Sequence, residues 1–223
     1  MAPEIYADRD EAGKALAIAL KRKLAGAMDR PMVLAIPRGG VVIGLEVAKA
    51  LGAELDIVVP RKLGAEWNHE FAIGSVMADG TTYLNPDAIR LTSTTDGYLQ
   101  KVKAAEMKEA ARRVSEYRGR RKEPDLSGRT VIVVDDGIAT GATIIAALRW
   151  ARGKGARLVI AAVPVAPRSA GEELKGEADQ IVCLNTPEPF HAIGAFYDNF
   201  DPVTDEQVIQ ILRKFWTSAG RGK

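Results

Sequence analysis

Hydrophobic positions fall into two alternating kinds of segment. Apolar runs at 32–36, 55–59, 131–134, 158–165 and 180–184, interrupted only by Asp56 and Gln180, have strand length and are rich in β-branched residues. Between them the apolar positions take a helical period. Over 8–24, Leu16, Leu20 and Leu24 lie one turn apart, and helices are predicted at 41–51, 142–152, around 169–175 and at 205–216. Fully apolar strands alternating with helices predict an α/β fold, a parallel sheet covered on both faces. The strand at 55–59 ends in Pro60-Arg61-Lys62-Leu63-Gly64, and a polar, mobile-looking stretch fills 65–70. A hairpin follows over 71–84 with Asp79-Gly80 at its turn. Gly97 and Gly119 bracket a stretch without Gly or Pro in which Leu99, Val102, Ala110, Val114 and Tyr117 recur at helical spacing, with Thr95 or Asp96 as its cap. The tail at 185–200 is irregular and aromatic-rich. The organisation expected is one domain over 1–223, with a core at about 30–184 and a hood from the N-terminal segment and 185–223.

Charge and composition narrow the function. Lys+Arg total 31 against 29 Asp+Glu, a net charge of +2, which excludes a whole-chain polycation built for bulk nucleic-acid binding. Nucleic acid is therefore not the expected partner. Hydrophobic residues at 47% and charged residues at 27% exclude intrinsic disorder. No apolar run approaches the ~20 residues of a membrane span, and Glu4, Asp8, Asp10 and Glu11 form the wrong flank for a secretory signal. Cys183 is the single cysteine and sits in an apolar run, so it reads as core. Neither an intramolecular disulfide nor a thiolate zinc cage is available. His69 and His191 lack metal-ligand spacing, and there is no G-x-S-x-G. A soluble, cytoplasmic protein is expected.

The chemistry concentrates after the strand at 131–134. Asp135 and Asp136 emerge at its C-terminal edge, where ligands sit in open α/β sheets. Two acceptor-only side chains suit a diol or a hydrated cation. Gly137, Ala139, Thr140, Gly141, Ala142 and Thr143 then form a small-residue loop opening a helix, whose amides, dipole and hydroxyls suit a phosphate. A ribose 5-phosphate satisfies both halves. A Walker A reading fails because the loop has no lysine, and no G-x-G-x-x-G is present. Elsewhere, Arg38 precedes Gly39 and Gly40, so both a guanidinium and backbone amides can approach an anion.

The segment 131–143 resembles the phosphoribosyl-diphosphate (PRPP) signature of type I phosphoribosyltransferases: apolar strand, two acids, small loop ending T-G-x-T. Two further segments match in order. Pro37-Arg38-Gly39-Gly40 looks like the family's pyrophosphate loop, and Arg61-Lys62 like the pair before its flexible catalytic loop. Within the family the chain looks most like an uncharacterised branch, through Arg61-Lys62-Leu63-Gly64, the stretch 68–74 and the stretch 192–197. The resemblance implies that Asp135 and Asp136 hold the ribose, directly or through a shared Mg2+, and that residues 137–143 hold the 5-phosphate. It further implies that Arg38, Gly39 and Gly40 hold pyrophosphate, and that Arg61 and Lys62 act in catalysis. Residues 65–70 become a lid in which His69 or Glu70 is an acid–base candidate, with a turn-stabilising hydrogen bond the other job for Glu70.

The implied activity is Mg2+-dependent phosphoribosyl transfer from PRPP to a nitrogen acceptor, such as a nucleobase, with pyrophosphate released. Ala139 stands where 6-oxopurine enzymes carry an aspartate, which argues against hypoxanthine or guanine. Among Phe190, Phe196, Tyr197 and Phe200, the pair Phe196 and Tyr197 is expected to stack a planar base, with small-lobe core packing as the alternative. Basic residues over 98–122 keep open a PRPP- or nucleotide-sensing protein without turnover, and water as acceptor would make a ribose-phosphate hydrolase. A homodimer also remains open.

Overall fold

Burial on both faces is what the apolar runs at 32–35, 130–134 and 159–165 achieve, while the run at 180–184 is half-buried. The computed structural model describes residues 5–24 and 29–219. A helix α1 (Arg9–Lys23) precedes β1 (Met32–Ala35), α2 (Gly39–Leu51) and β2 (Glu54–Ile57). The second half carries β6 (Thr130–Val134), α5 (Ala142–Gly153), β7 (Leu158–Val165), a short α6 (Ala170–Glu173) and β8 (Gln180–Asn185), and α7 (Asp205–Ala219) closes the fold. These five strands form one parallel sheet in the order β2-β1-β6-β7-β8. Alternate strand residues serve opposite layers. Val33, Ala35, Ile132, Val134 and Ile160 pack with α1, α2 and α7, while Leu34, Val131, Val133, Val159 and Ala161 pack with α5.

Local chemistry sets the helix ends. Asp8 caps α1 by accepting a 2.9 Å hydrogen bond from the Glu11 amide; Asp10 and Glu11 lie in its first turn and Lys21, Arg22 and Lys23 in its last. The N-terminal stretch then adds to the tail: the Tyr6 amide donates to the Phe196 carbonyl, and the Asp198 and Asn199 amides donate back to Tyr6 and Ala7. That pairing sets the N-terminal end of α1 at the C-terminal edge of the sheet.

Residues 61–64 are not the end of the preceding strand, as the sequence suggested. They form β3 (Arg61–Gly64), the first strand of a separate antiparallel sheet with β4 (Ala72–Val76) and β5 (Thr82–Leu84) in the order β3-β4-β5. Pro60 interrupts the chain between β2 and β3, and Leu63 and Gly64 turn into a small second core with Ile73, Val76 and Ala88. The hairpin of β4 and β5 turns at Asp79-Gly80 as expected, Gly80 taking φ +91°. A helix α3 (Pro86–Leu91) has no counterpart in the sequence pattern, although Asn85 caps it, accepting from the Asp87 and Ala88 amides, and Pro86 opens it.

The helix α4 (Asp96–Arg118), capped by Thr95, joins the two sheets. At its far end Arg118 Nε donates to Asp56 Oδ1 at 3.1 Å, and Arg118 Nη2 to the Ile57 carbonyl at 3.2 Å. Burial raises the Asp56 carboxyl above its ordinary range, and the Arg118 guanidinium counteracts it. Both side chains are buried, at 7% and 3% exposure, so removing one partner strands the other charge. Arg118→Met is expected to cost roughly 3–5 kcal/mol in urea unfolding, and adding Asp56→Leu to recover most of it. Equal stability of the single and double variants would refute this.

Candidate active site

β1 and β6 are neighbours in register, with Ala35 opposite Val134, so the loops leaving their C-terminal ends emerge side by side. Contact between those loops requires glycine. A Cβ at Gly39 would overlap the Asp136 carboxylate, and one at Gly40 would lie 2.9 Å from both Asp135 Cα and the Val134 carbonyl oxygen. The first obstacle is a side chain; the second is backbone that has no room to yield. The Pro37–Arg38 peptide in this loop is cis.

Asp135 and Asp136 differ in their surroundings. Asp135 Oδ1 accepts from the Asp136 amide at 2.8 Å. Burial, and then the neighbouring Asp136 charge, push its carboxyl well above the usual carboxylate range. Asp136 Oδ2 instead accepts from Arg9 Nε at 2.8 Å. The Arg9 guanidinium also donates to the Asp201 carbonyl at 2.9 Å and lies 3.8 Å from the Phe200 ring centroid. Tyr197 Oη donates to the Asp136 carbonyl at 2.6 Å, and burial raises its phenol pKa strongly. Helix α1, the β6–α5 loop and the C-terminal tail thus meet at one carboxylate.

Beyond the acids the chain turns into α5. Gly137 is buried against Ile193 and Val165, and Gly141 takes φ +69° as the residue before the helix. Ala139 and Thr140 are exposed, Ala142 is buried and Thr143 faces the cleft. No acceptor among the described residues meets the amides of Ala139, Thr140 or Gly141. With the first-turn amides of α5 they form a donor-rich end where the helix dipole favours an anion.

Arg61 and Lys62 reach the same cleft from β3. Arg61 Nε donates to Glu106 Oε2 of α4 at 2.7 Å. Lys62 Nζ donates to Glu70 Oε2 at 2.8 Å, and this pairing lowers the Glu70 pKa. Glu70 is 92% exposed and does not line the cleft. An ionised carboxylate there is a lysine partner, so this structure gives Glu70 no position as an acid. The 65–70 segment folds into a turn closed by the Phe71 amide on the Asn68 carbonyl, with Trp67 89% exposed.

Arg9, Arg38, Arg61, Lys62 and Arg113 surround Asp135 and Asp136 in one cleft of ≈ 550 Å³, which Thr143 also lines and which residues 65–70 and 139–141 do not. Arg38 also lies 3.8 Å from Asp205, which accepts from Tyr117 Oη. Arg9 and Arg113 were not anticipated: both read locally as surface residues of amphipathic helices, and only tertiary packing brings them in. The expected stacking pair is corrected. Phe196 and Tyr197 are 5% and 6% exposed and packed into the core, Phe196 against Phe190 and Tyr197 against Tyr6 and Phe200, so neither offers a free ring face. Gly40→Ala is expected to cost roughly 1–3 kcal/mol in chemical denaturation, because it overpacks backbone against backbone. A change within about 0.5 kcal/mol would show that the two loops are not in tight contact.

Comparison with known proteins fits this geometry. The chain is 41% identical over 209 residues to a Mycobacterium tuberculosis protein provisionally named a phosphoribosyl transferase, covering 94% of this chain and 46% of that protein. It therefore spans about half the length of the curated relatives it matches. The crystal structure of TT1426 from Thermus thermophilus superposes with a TM-score of 0.79 at 43% identity, covering 95% of this chain and 99% of that one. The AQ2163 protein of Aquifex aeolicus shares the fold at TM-score 0.50 and 13% identity, over 83% of this chain and 78% of that one. The model of the phosphoribosyl transferase domain matches residues 6–200, a span that holds every segment of the cleft except Pro202 and Val203. On that match, which spans most of its length, the chain belongs to the phosphoribosyl transferase domain family.

Proposed function

We propose that the protein transfers the 5-phosphoribosyl group of PRPP to a nitrogen acceptor, with the cytoplasm as its compartment. The observation that carries this reading is the meeting of three segments remote in sequence, 38–39, 61–62 and the stretch from Asp135 and Asp136 to Thr143, around one cleft. Together they match the parts of the donor. The acids suit the ribose hydroxyls, the α5 amides and Thr143 the 5-phosphate, and Arg38 with the start of α2 at Gly39 and Gly40 the pyrophosphate. In the reaction the ribose C1–oxygen bond breaks, its electron pair leaves with pyrophosphate, and the acceptor nitrogen bonds to C1 and loses its proton to solvent. Arg38, Arg61 and Lys62 oppose the charge that gathers on the leaving group.

The donor set also fits Mg2+. Asp135 and Asp136 offer hard oxygens, and among the described residues no cluster of three or more His, Cys, Asp or Glu side chains forms a cage of its own. Mg2+ typically binds one or two carboxylates and completes its shell with water and phosphate oxygens. When bound it would neutralise charge on the leaving pyrophosphate. On α4, Arg112 and Arg113 are paired with Glu109 and Glu116 of the same helix, which takes two guanidiniums out of the basic surface that the sensing alternative rests on.

Calorimetric titration with PRPP should show saturable binding that Mg2+ strengthens, and Asp135→Asn with Asp136→Asn should remove it. Unchanged affinity in the double variant would refute the ribose assignment. Acidity gives a second check. A raised Asp135 pKa means that the protonated form persists to a higher pH than in an ordinary carboxyl. Affinity for PRPP with Mg2+ should therefore fall on acidification, starting above the usual carboxylate range, and Asp135→Asn should flatten that dependence. A profile identical in both proteins would count against Asp135 as the titrating group.

A further inference from the structure

The parts of the cleft not matched to the donor are Arg9, Arg113, Phe200, Pro202, Val203 and the prolines at the loop edges. This remaining wall is unusual in its chemistry. Its polar side chains are two guanidiniums, which donate hydrogen bonds and cannot accept them. Asp135 and Asp136 are the only carboxylates lining the cleft among the described residues, and both are committed to the ribose side. An acceptor presenting amino groups would find no side-chain partner on this wall. One presenting oxygens would find two.

Arg9 is held for such a role. Its Nε and Nη1 are engaged by Asp136 and the Asp201 carbonyl, while Nη2 has no protein acceptor among the described residues. The guanidinium covers the Phe200 ring at 3.8 Å, so the flat surface offered at this corner is cationic rather than aromatic. Arg113 is tied through Nε to Glu109 Oε1 at 2.7 Å, which leaves its terminal nitrogens without an acceptor among the described residues. Its side chain is only 21% exposed. Two partly desolvated guanidiniums with free donor edges match a carboxylate better than any neutral group.

From this wall we infer that the nitrogen acceptor is a planar ring bearing a carboxylate, recognised by Arg9 and Arg113; the inference rests on the phosphoribosyl-transfer reading. Arg113 is the specificity-determining residue that can be tested cleanly, because Arg9 also contacts Asp136.

The experiment uses matched ring pairs with PRPP and Mg2+: pyridine-3-carboxylate against its carboxamide, 6-carboxyuracil against uracil, and 2-aminobenzoate against aniline. Pyrophosphate release is followed, and PRPP affinity is measured on the same protein. For at least one pair the carboxylate is expected to exceed its neutral partner about tenfold or more in kcat/KM. Arg113→Gln should erase that preference through KM while PRPP affinity stays within about twofold, and Arg113→Lys should restore part of it. Neutral partners used as well or better, a KM untouched by Arg113→Gln, or PRPP binding without release by any carboxylate member would overturn the inference and leave the donor assignment standing. Failure to bind PRPP would instead overturn the transfer reading, and this inference with it.

Discussion

The in-register pairing of β1 with β6 is the constraint on which the site depends. Parallel strands end at the same level, so their loops must share the space above the sheet. At this switch point the chain runs through α2 towards one edge and through α5 towards the other, which opens a crevice between the two loops. Gly39 and Gly40 let the first loop rest against the second, and Asp135 and Asp136 become the floor of that crevice. A side chain at Gly40 would press against the Val134–Asp135 backbone and force the cationic loop away from the acidic floor.

Arg9 turns this floor into an assembled structure. A guanidinium has enough donors to serve several segments in one plane, and here it joins Asp136 to the Asp201 carbonyl while covering Phe200. The N-terminal stretch and the tail, far apart in sequence, are already paired through Tyr6 and Tyr197. The position of one site acid therefore depends on both chain ends being docked. Asp135 forms no ion pair among the described residues; its ionisation is opposed by burial and by its neighbour more than Arg9 favours it, so a bound cation or ligand donor would relieve it.

Much of this was legible in the residues. Strands buried on both faces must be apolar throughout, which is why β1, β6 and β7 stood out and why the acids directly after β6 could be placed at the edge where the cleft lies. The α5 loop was readable for the same reason, since small residues before a helix have few purposes other than close approach. β3 was not readable: Arg61 and Lys62 occupy half of a four-residue strand that gains its identity only by pairing with β4. Arg9 reaches Asp136 across 127 positions, and no local pattern signals such a contact. Phe196 and Tyr197 failed as stacking residues because an aromatic-rich tail looks the same whether its rings line a cleft or fill the core behind it.

The long helix α4 explains how a site divided between two sheets keeps its geometry. Glu106 holds Arg61 of β3, Tyr117 donates to Asp205 beside Arg38, and Arg118 is locked to Asp56 of β2. Three successive attachments along one rigid element fix the antiparallel sheet relative to the parallel one. The buried pair at Arg118 is the anchor, since an uncompensated charge there is costly, whereas the Arg61–Glu106 pair is partly exposed and weaker. The cleft side of β3 is thus held by a partly exposed ion pair, whereas Asp135 and Asp136 follow directly from the buried central strand β6.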